Sequence, residues 1–149
     1  MSCNLTIAGI GFDIDAFVST TRLHVHRKRY RGEPVFKTKP DSRKAHRSLI
    51  SVTVSDADFD KLDEQIADTI AYLTNNYEKL KHITTTKGID IAVLDFGQDL
   101  QIDRVKRLYQ EHKFPGKLLL FAGELGLDIQ LSIYAPDMQV ILENQSKKD

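Results

Sequence analysis

A chain of 149 residues, 41% hydrophobic and 28% charged, is long enough to bury one core and too short for two ordinary domains side by side. Eight glycines and four prolines exclude a collagenous or low-complexity chain, and a single cysteine, Cys3, excludes a disulfide scaffold or a cysteine-rich metal site. The charges sum to zero, yet residues 22 to 47 hold ten Lys and Arg against only Glu33 and Asp41, a surplus of eight that the remainder balances. No apolar run approaches the ~20 residues of a membrane span, and Met1 to Ile10 lacks the basic start and continuous apolar stretch of a signal peptide. The expected address is cytoplasmic, with Cys3 a reduced thiol.

Cys3 to Ile10 reads as a strand with Cys3, Leu5 and Ile7 on one face. Asp13 caps a short helix to about Thr20 whose apolar side is Ile14, Phe17 and Val18. A second strand is expected over roughly residues 23 to 31, followed by a polar, basic loop from Gly32 to Ala45 around Pro34 and Pro40. Leu49 to Val54 alternates, with Ile50, Val52 and Val54 inward. The longest helix is read from Phe59, Leu62, Ile66, Ile70, Leu73, Tyr77 and Leu80, with Ser55 and Asp58 as a capping box. Ile89 to Phe96 is a central strand, with Asp90 and Asp95 expected near its ends, and residues 99 to 113 fit either a short helix or a strand extension. Pro115 opens a helix with Leu118, Phe121, Ala122 and Leu125 on its apolar side, Gly126 ends it, and Leu127 to Tyr134 is a one-sided strand. The order, strand-helix-strand-strand-helix-strand and then a helix and a strand, predicts an α+β domain. Its expected form is ferredoxin-like, a split β-α-β with a mostly antiparallel sheet, helices on one face and an appended C-terminal helix and strand. One domain over residues 1–142 and a frayed tail over 143–149 complete the expectation.

Several motifs lose to simpler explanations. Gly9-Ile10-Gly11 stands where a dinucleotide fingerprint would begin, but Ile14 replaces its third glycine and Asp13 and Asp15 oppose a pyrophosphate, so the glycines are assigned to a turn. Asp95-Phe96-Gly97 has none of the other protein-kinase motifs around it. Asp56, Asp58 and Asp60 imitate a calcium loop, yet Lys61 and Ala67 stand where its glycine and closing glutamate belong. His24 and His26, with His46, have ligand chemistry but are surrounded by Arg22, Arg27, Lys28 and Arg29, which oppose a dication. Neither Cys3 nor any Ser, His and Asp set marks a nucleophile. The sequence therefore assigns no catalytic residue, no cofactor and no metal.

The set Gly11-Phe12-Asp13-Ile14-Asp15-Ala16-Phe17, Tyr30-Arg31-Gly32-Glu33, Leu94-Asp95-Phe96-Gly97 and Phe114-Pro115 through Leu125-Gly126-Leu127 to Leu131-Ser132-Ile133-Tyr134 resembles the uncharacterised bacterial family called domain of unknown function 4279. That resemblance implies a small bacterial cytoplasmic protein and transfers no catalytic residue. The functional expectation is a non-enzymatic protein-binding module, of immunity or antitoxin type, meeting an acidic protein surface by shape and charge through Arg27, Lys28, Arg29, Arg31, Lys37, Lys39, Arg43, Lys44 and Arg47. The alternative is an anion or nucleic-acid backbone-binding module using segment 22–47. For that version the open sheet face, with Asn4, Thr6, Ser51, Thr53, Gln130 and Ser132, offers no stacking aromatics. An enzyme of unrecognised type is third.

Overall fold

A computed structural model describes residues 2–103 and 105–135. Strands β1 (Cys3–Gly9), β2 (Arg27–Arg29), β3 (Ser48–Ser55), β4 (Ile91–Asp99) and β5 (Asp128–Tyr134) form one open sheet in the order β2-β3-β1-β4-β5. All pairings are antiparallel except β4 with β5. A parallel pair needs a crossover, and α5 (Gly116–Leu125) supplies it. Both neighbours of β1 run antiparallel to it, so β3 and β4 are parallel to each other with β1 between them. The architecture is α+β, and no helix among the described residues is long and apolar enough to cross a membrane.

Alternation decides which face is dry. Leu5 stands opposite Val52 on one side and Leu94 on the other, while Ile7 stands opposite Ile50 and Ala92. These residues join Phe17 of α1 (Ile14–Thr21), Leu62, Ile66 and Leu73 of α2 (Leu62–Asn75) and Leu118 and Leu125 of α5 in one buried core. The opposite face carries Asn4, Thr6, Ser51 and Thr53, all half-buried. Asp13 caps α1 by accepting from the Ala16 N–H at 3.0 Å, and Gly126 closes α5 at φ 68°.

Five sequence expectations are corrected. The second strand is only Arg27–Arg29, because the chain turns at Tyr30, where the Glu33 carboxylate accepts the Tyr30 N–H at 3.0 Å and Glu33 N–H donates back to the Tyr30 carbonyl. The long helix starts at Leu62 and breaks at Asn76, continuing as α3 (Tyr77–Leu80) and α4 (His82–Thr85). Its capping box does not form: Ser55 belongs to β3 and donates to Asp68 Oδ2 at 2.6 Å, while Phe59 precedes the helix and meets the Tyr134 ring edge-on at 5.4 Å. Asp95 sits in mid-strand on the open face, where its carboxylate accepts the Ser132 hydroxyl at 2.6 Å. The described residues between 100 and 113 form neither helix nor further strand past Asp99; Asp103 instead accepts the N–H groups of Val105, Lys106 and Arg107. The tail read over 143–149 lies outside the described residues.

Cys3 lies in β1, fully buried, with the Thr69 hydroxyl donating to its sulfur at 3.4 Å. Burial pushes its thiol up to about 12 from 9.0, outweighing the hydroxyl contact. The thiol of the unfolded chain ionises first, so this group's stability contribution is intact below pH 9 and is lost as pH rises from 9 toward 12. Disulfide exchange with an aromatic disulfide reagent at pH 8 should therefore proceed only on unfolding. Stoichiometric labelling of folded protein within seconds would contradict this burial.

Candidate functional site

The basic segment folds into a defined excursion beside the sheet. Gly32 N–H donates to the Ala45 carbonyl at 2.8 Å, Ala45 N–H to the Glu33 carbonyl at 2.7 Å and Val35 N–H to the Arg43 carbonyl at 2.9 Å, with Pro34 bridging Lys44. The tip from Phe36 to Ser42 is closed by turns at Lys39 and Ser42 and by Ser42 Oγ accepting the Phe36 N–H at 3.2 Å. This hydrogen-bonded ladder, rather than the prolines alone, shapes the loop, and it buries Ala45.

The returning limb creates a hollow of about 650 Å³ on the open sheet face. Its walls carry Arg29, Arg43, Lys44, His46 and Arg47; Ala8, Leu49 and Ile91 from three adjacent strands line it as well. Ala8 is paired with Leu49 on one side and Ile91 on the other, so these three apolar side chains share one row across the sheet. Arg47 Nε lies 3.6 Å from Asp90 Oδ2, an ion-pair distance too long for a hydrogen bond, and the same carboxylate oxygen accepts the Ile10 N–H at 2.9 Å. Arg29 Nε is buried and meets no acceptor among the described residues. No described carboxylate stands within ion-pair distance of Arg29, Arg43 or Lys44.

A smaller hollow of about 290 Å³ adjoins through Arg29 and is lined by Arg27, Lys28 and Lys37 with Glu33 and Phe36. Of the nine cations expected to bind a partner, the structure thus brings Arg29, Arg43, Lys44 and Arg47 to one hollow and Arg27, Lys28 and Lys37 to its neighbour. Lys28 is turned to the helical side, where it pairs with Asp15 of α1 at 3.3 Å. Arg31 lines neither hollow; its N–H donates to Ser48 Oγ and its guanidinium to the Ile10 carbonyl. Lys39 also lies outside both, at the tip. Sequence reasoning weighed His46 only as a metal ligand beside His24 and His26, and it missed the apolar row. The available signal was that Ala8, Leu49 and Ile91 fall on the polar side of their strands' alternation.

The other motifs have structural duties. The Asp58 carbonyl accepts from Lys61 N–H and Gln65 Nε2, and Phe96 is core. His26 Nδ1 is 3.1 Å from Thr53 Oγ1, and among the described residues no three His, Cys, Asp or Glu side chains converge as a metal-sized set. Compared with protein-family models, curated proteins and solved structures, the chain gives no match.

Proposed function

We propose that this protein is a non-enzymatic binding module that receives an acidic protein surface on the face built by residues 27–47. The observation that carries this reading is the grouping of Arg29, Arg43 and Lys44, free of ion pairs with described residues, around one hollow. Unneutralised cations in a concave, partly dry setting attract a negative partner more strongly than scattered surface charges do. The sheet order and the alternation of strands and helices support a ferredoxin-like reading with β5 added at the edge. The order of motifs from Gly11 to Tyr134 supports kinship with domain of unknown function 4279, and with it a bacterial cytoplasmic protein of immunity or antitoxin type. A second reading, binding of a nucleic-acid backbone, draws on Phe36, 61% exposed beside Arg27 and Lys37.

The test is capture of a partner from the native host by immobilised protein, with and without nuclease. Arg27→Glu with Arg29→Glu, and Arg43→Glu with Lys44→Glu, should each reduce capture at least ~10-fold while leaving the far-UV spectrum intact, since like charges now face the partner. A nuclease-resistant protein partner supports the acidic-surface reading, and nuclease-sensitive material the second. Full capture by both folded variants would reject the site.

A further inference from the structure

The larger hollow combines two chemistries that a flat acidic surface does not use together. Its apolar row, Ala8, Leu49 and Ile91, is set into a mostly polar sheet face that carries Asn4, Thr6, Ser51, Thr53 and Asp95 beside Val93, and it lies where the cations stand. Ile91, at one end of the row beside Ala8, is aliphatic yet 38% exposed. Two guanidinium Nε groups on the walls, those of Arg29 and Arg47, are buried without a hydrogen-bond acceptor. A buried donor left unpaired costs free energy that an incoming oxygen would recover. We infer that this hollow is a binding site for a small phosphate monoester with an apolar body, its phosphoryl oxygens on Arg29 and Arg47 and its body on the Leu49 and Ile91 side chains.

Charge selects the head group. Arg29, Arg43 and Lys44 have no carboxylate partner among the described residues and Arg47 is partly satisfied by Asp90, so the hollow suits a dianion better than a single carboxylate. A phosphate monoester carries about −1.5 to −2 at pH 7 and presents tetrahedrally arranged oxygens, two of which the planar guanidinium can meet in two-bond geometry. Shape selects the body: inorganic phosphate or a diester backbone would leave the apolar row wet, whereas a hydrophobic ester covers it. The volume, about 650 Å³, falls within the ~300–1,000 Å³ of small-molecule sites. This inference rests on the reading of the face as an anion receptor and is independent of which macromolecule, if any, docks there.

The experiment is an NMR titration of the full chain, following the arginine Nε–H signals and the Leu and Ile methyls, with phenyl phosphate, inorganic phosphate and phenol as probes. Phenyl phosphate should saturate, moving Arg29 Nε–H together with the Leu49 and Ile91 methyls. Inorganic phosphate should bind at least ~10-fold more weakly and leave the methyls in place, and phenol should move neither set. Arg29→Met keeps the apolar stem, removes the guanidinium and should weaken phenyl phosphate at least ~10-fold. Equal affinity for phenyl and inorganic phosphate, or shifts confined to residues outside the hollow, would overturn the inference. Arg27→Glu with Lys37→Glu, outside the larger hollow, separates the two proposals. Retained phenyl phosphate binding with no macromolecular partner leaves this site standing and removes the proposed function, and the reverse pattern removes this site alone.

Discussion

Gly9→Ala should leave little or no stably folded protein. A Cβ at residue 9 would fall inside the Gly88 carbonyl, and a Cβ at Gly88, where φ is +87°, would fall inside the carbonyl of Gly11. Both obstacles are backbone, so no side-chain rotation relieves them. The approach exists because the segment entering β4 is tied to the end of β1: Asp90 N–H donates to the Ala8 carbonyl at 2.9 Å and Ile10 N–H donates to the Asp90 carboxylate. The expected loss exceeds ~3 kcal/mol, above the usual range for overpacking and a large share of a small domain's stability. Gly123→Ala is the matched control, since its added methyl meets open space in α5; it should gain ~0.5–1 kcal/mol through helix propensity. Urea unfolding of both variants decides the matter, and a Gly9→Ala midpoint equal to that of the parent would show that the strand ends do not approach this closely.

Gln65→Glu is expected to be nearly as damaging, for an electrostatic reason. Gln65 is fully buried in α2, and its Nε2 donates to the carbonyls of Gly97 at 2.8 Å and Asp58 at 3.1 Å. A carboxylate there has no N–H to offer and would face two carbonyl oxygens in a dry setting. The predicted cost at pH 7 is at least ~3 kcal/mol, the scale of an uncompensated buried charge. Lowering the pH through the ordinary carboxyl range should restore part of it, because the protonated acid can donate to one carbonyl. Denaturant midpoints at pH 7 and pH 4, each referred to the parent chain, test both magnitude and sign; parity at pH 7 would remove the role assigned to this amide.

That glutamine also marks where sequence reading stops. The apolar stripe of the long helix is present in Leu62, Ile66 and Leu73, but Gln65 and Thr69 are buried with it: Gln65 reaches the Gly97 carbonyl, which no helical period encodes, while the Thr69 hydroxyl bonds back to the Gln65 carbonyl at 2.7 Å and lies beside the Cys3 sulfur. The break at Asn76 was equally hidden, as Tyr77 and Leu80 keep the spacing while the backbone at Asn76 leaves helical values. By contrast β1, β3, the Asp13 cap and the Gly126 stop depend on alternation and on single-residue chemistry, and these were legible. For the candidate site, the cations could be read directly from the charge distribution. The gathering of Arg29, Arg43, Lys44 and Arg47 around one hollow follows from the return of residues 43–47 along Gly32 to Val35, a set of backbone bonds that composition does not announce.

The central place of β1 has a consequence for how the molecule is made. Of the five strands of this sheet it leaves the ribosome before the others, yet one of its ladders pairs with Ser48–Ser55 and the other closes only when Phe96 stands opposite Cys3. At synthesis rates of ~5–20 residues per second, roughly 5–20 s separate the appearance of Leu5 and Ile7 from that of their last partners. Throughout that interval an apolar strand with two unsatisfied edges is exposed, and the core cannot close piecemeal from the N-terminus. Slow translation before β4 is complete should therefore raise aggregation of the nascent chain, while the same delay placed after Asp99 should matter much less.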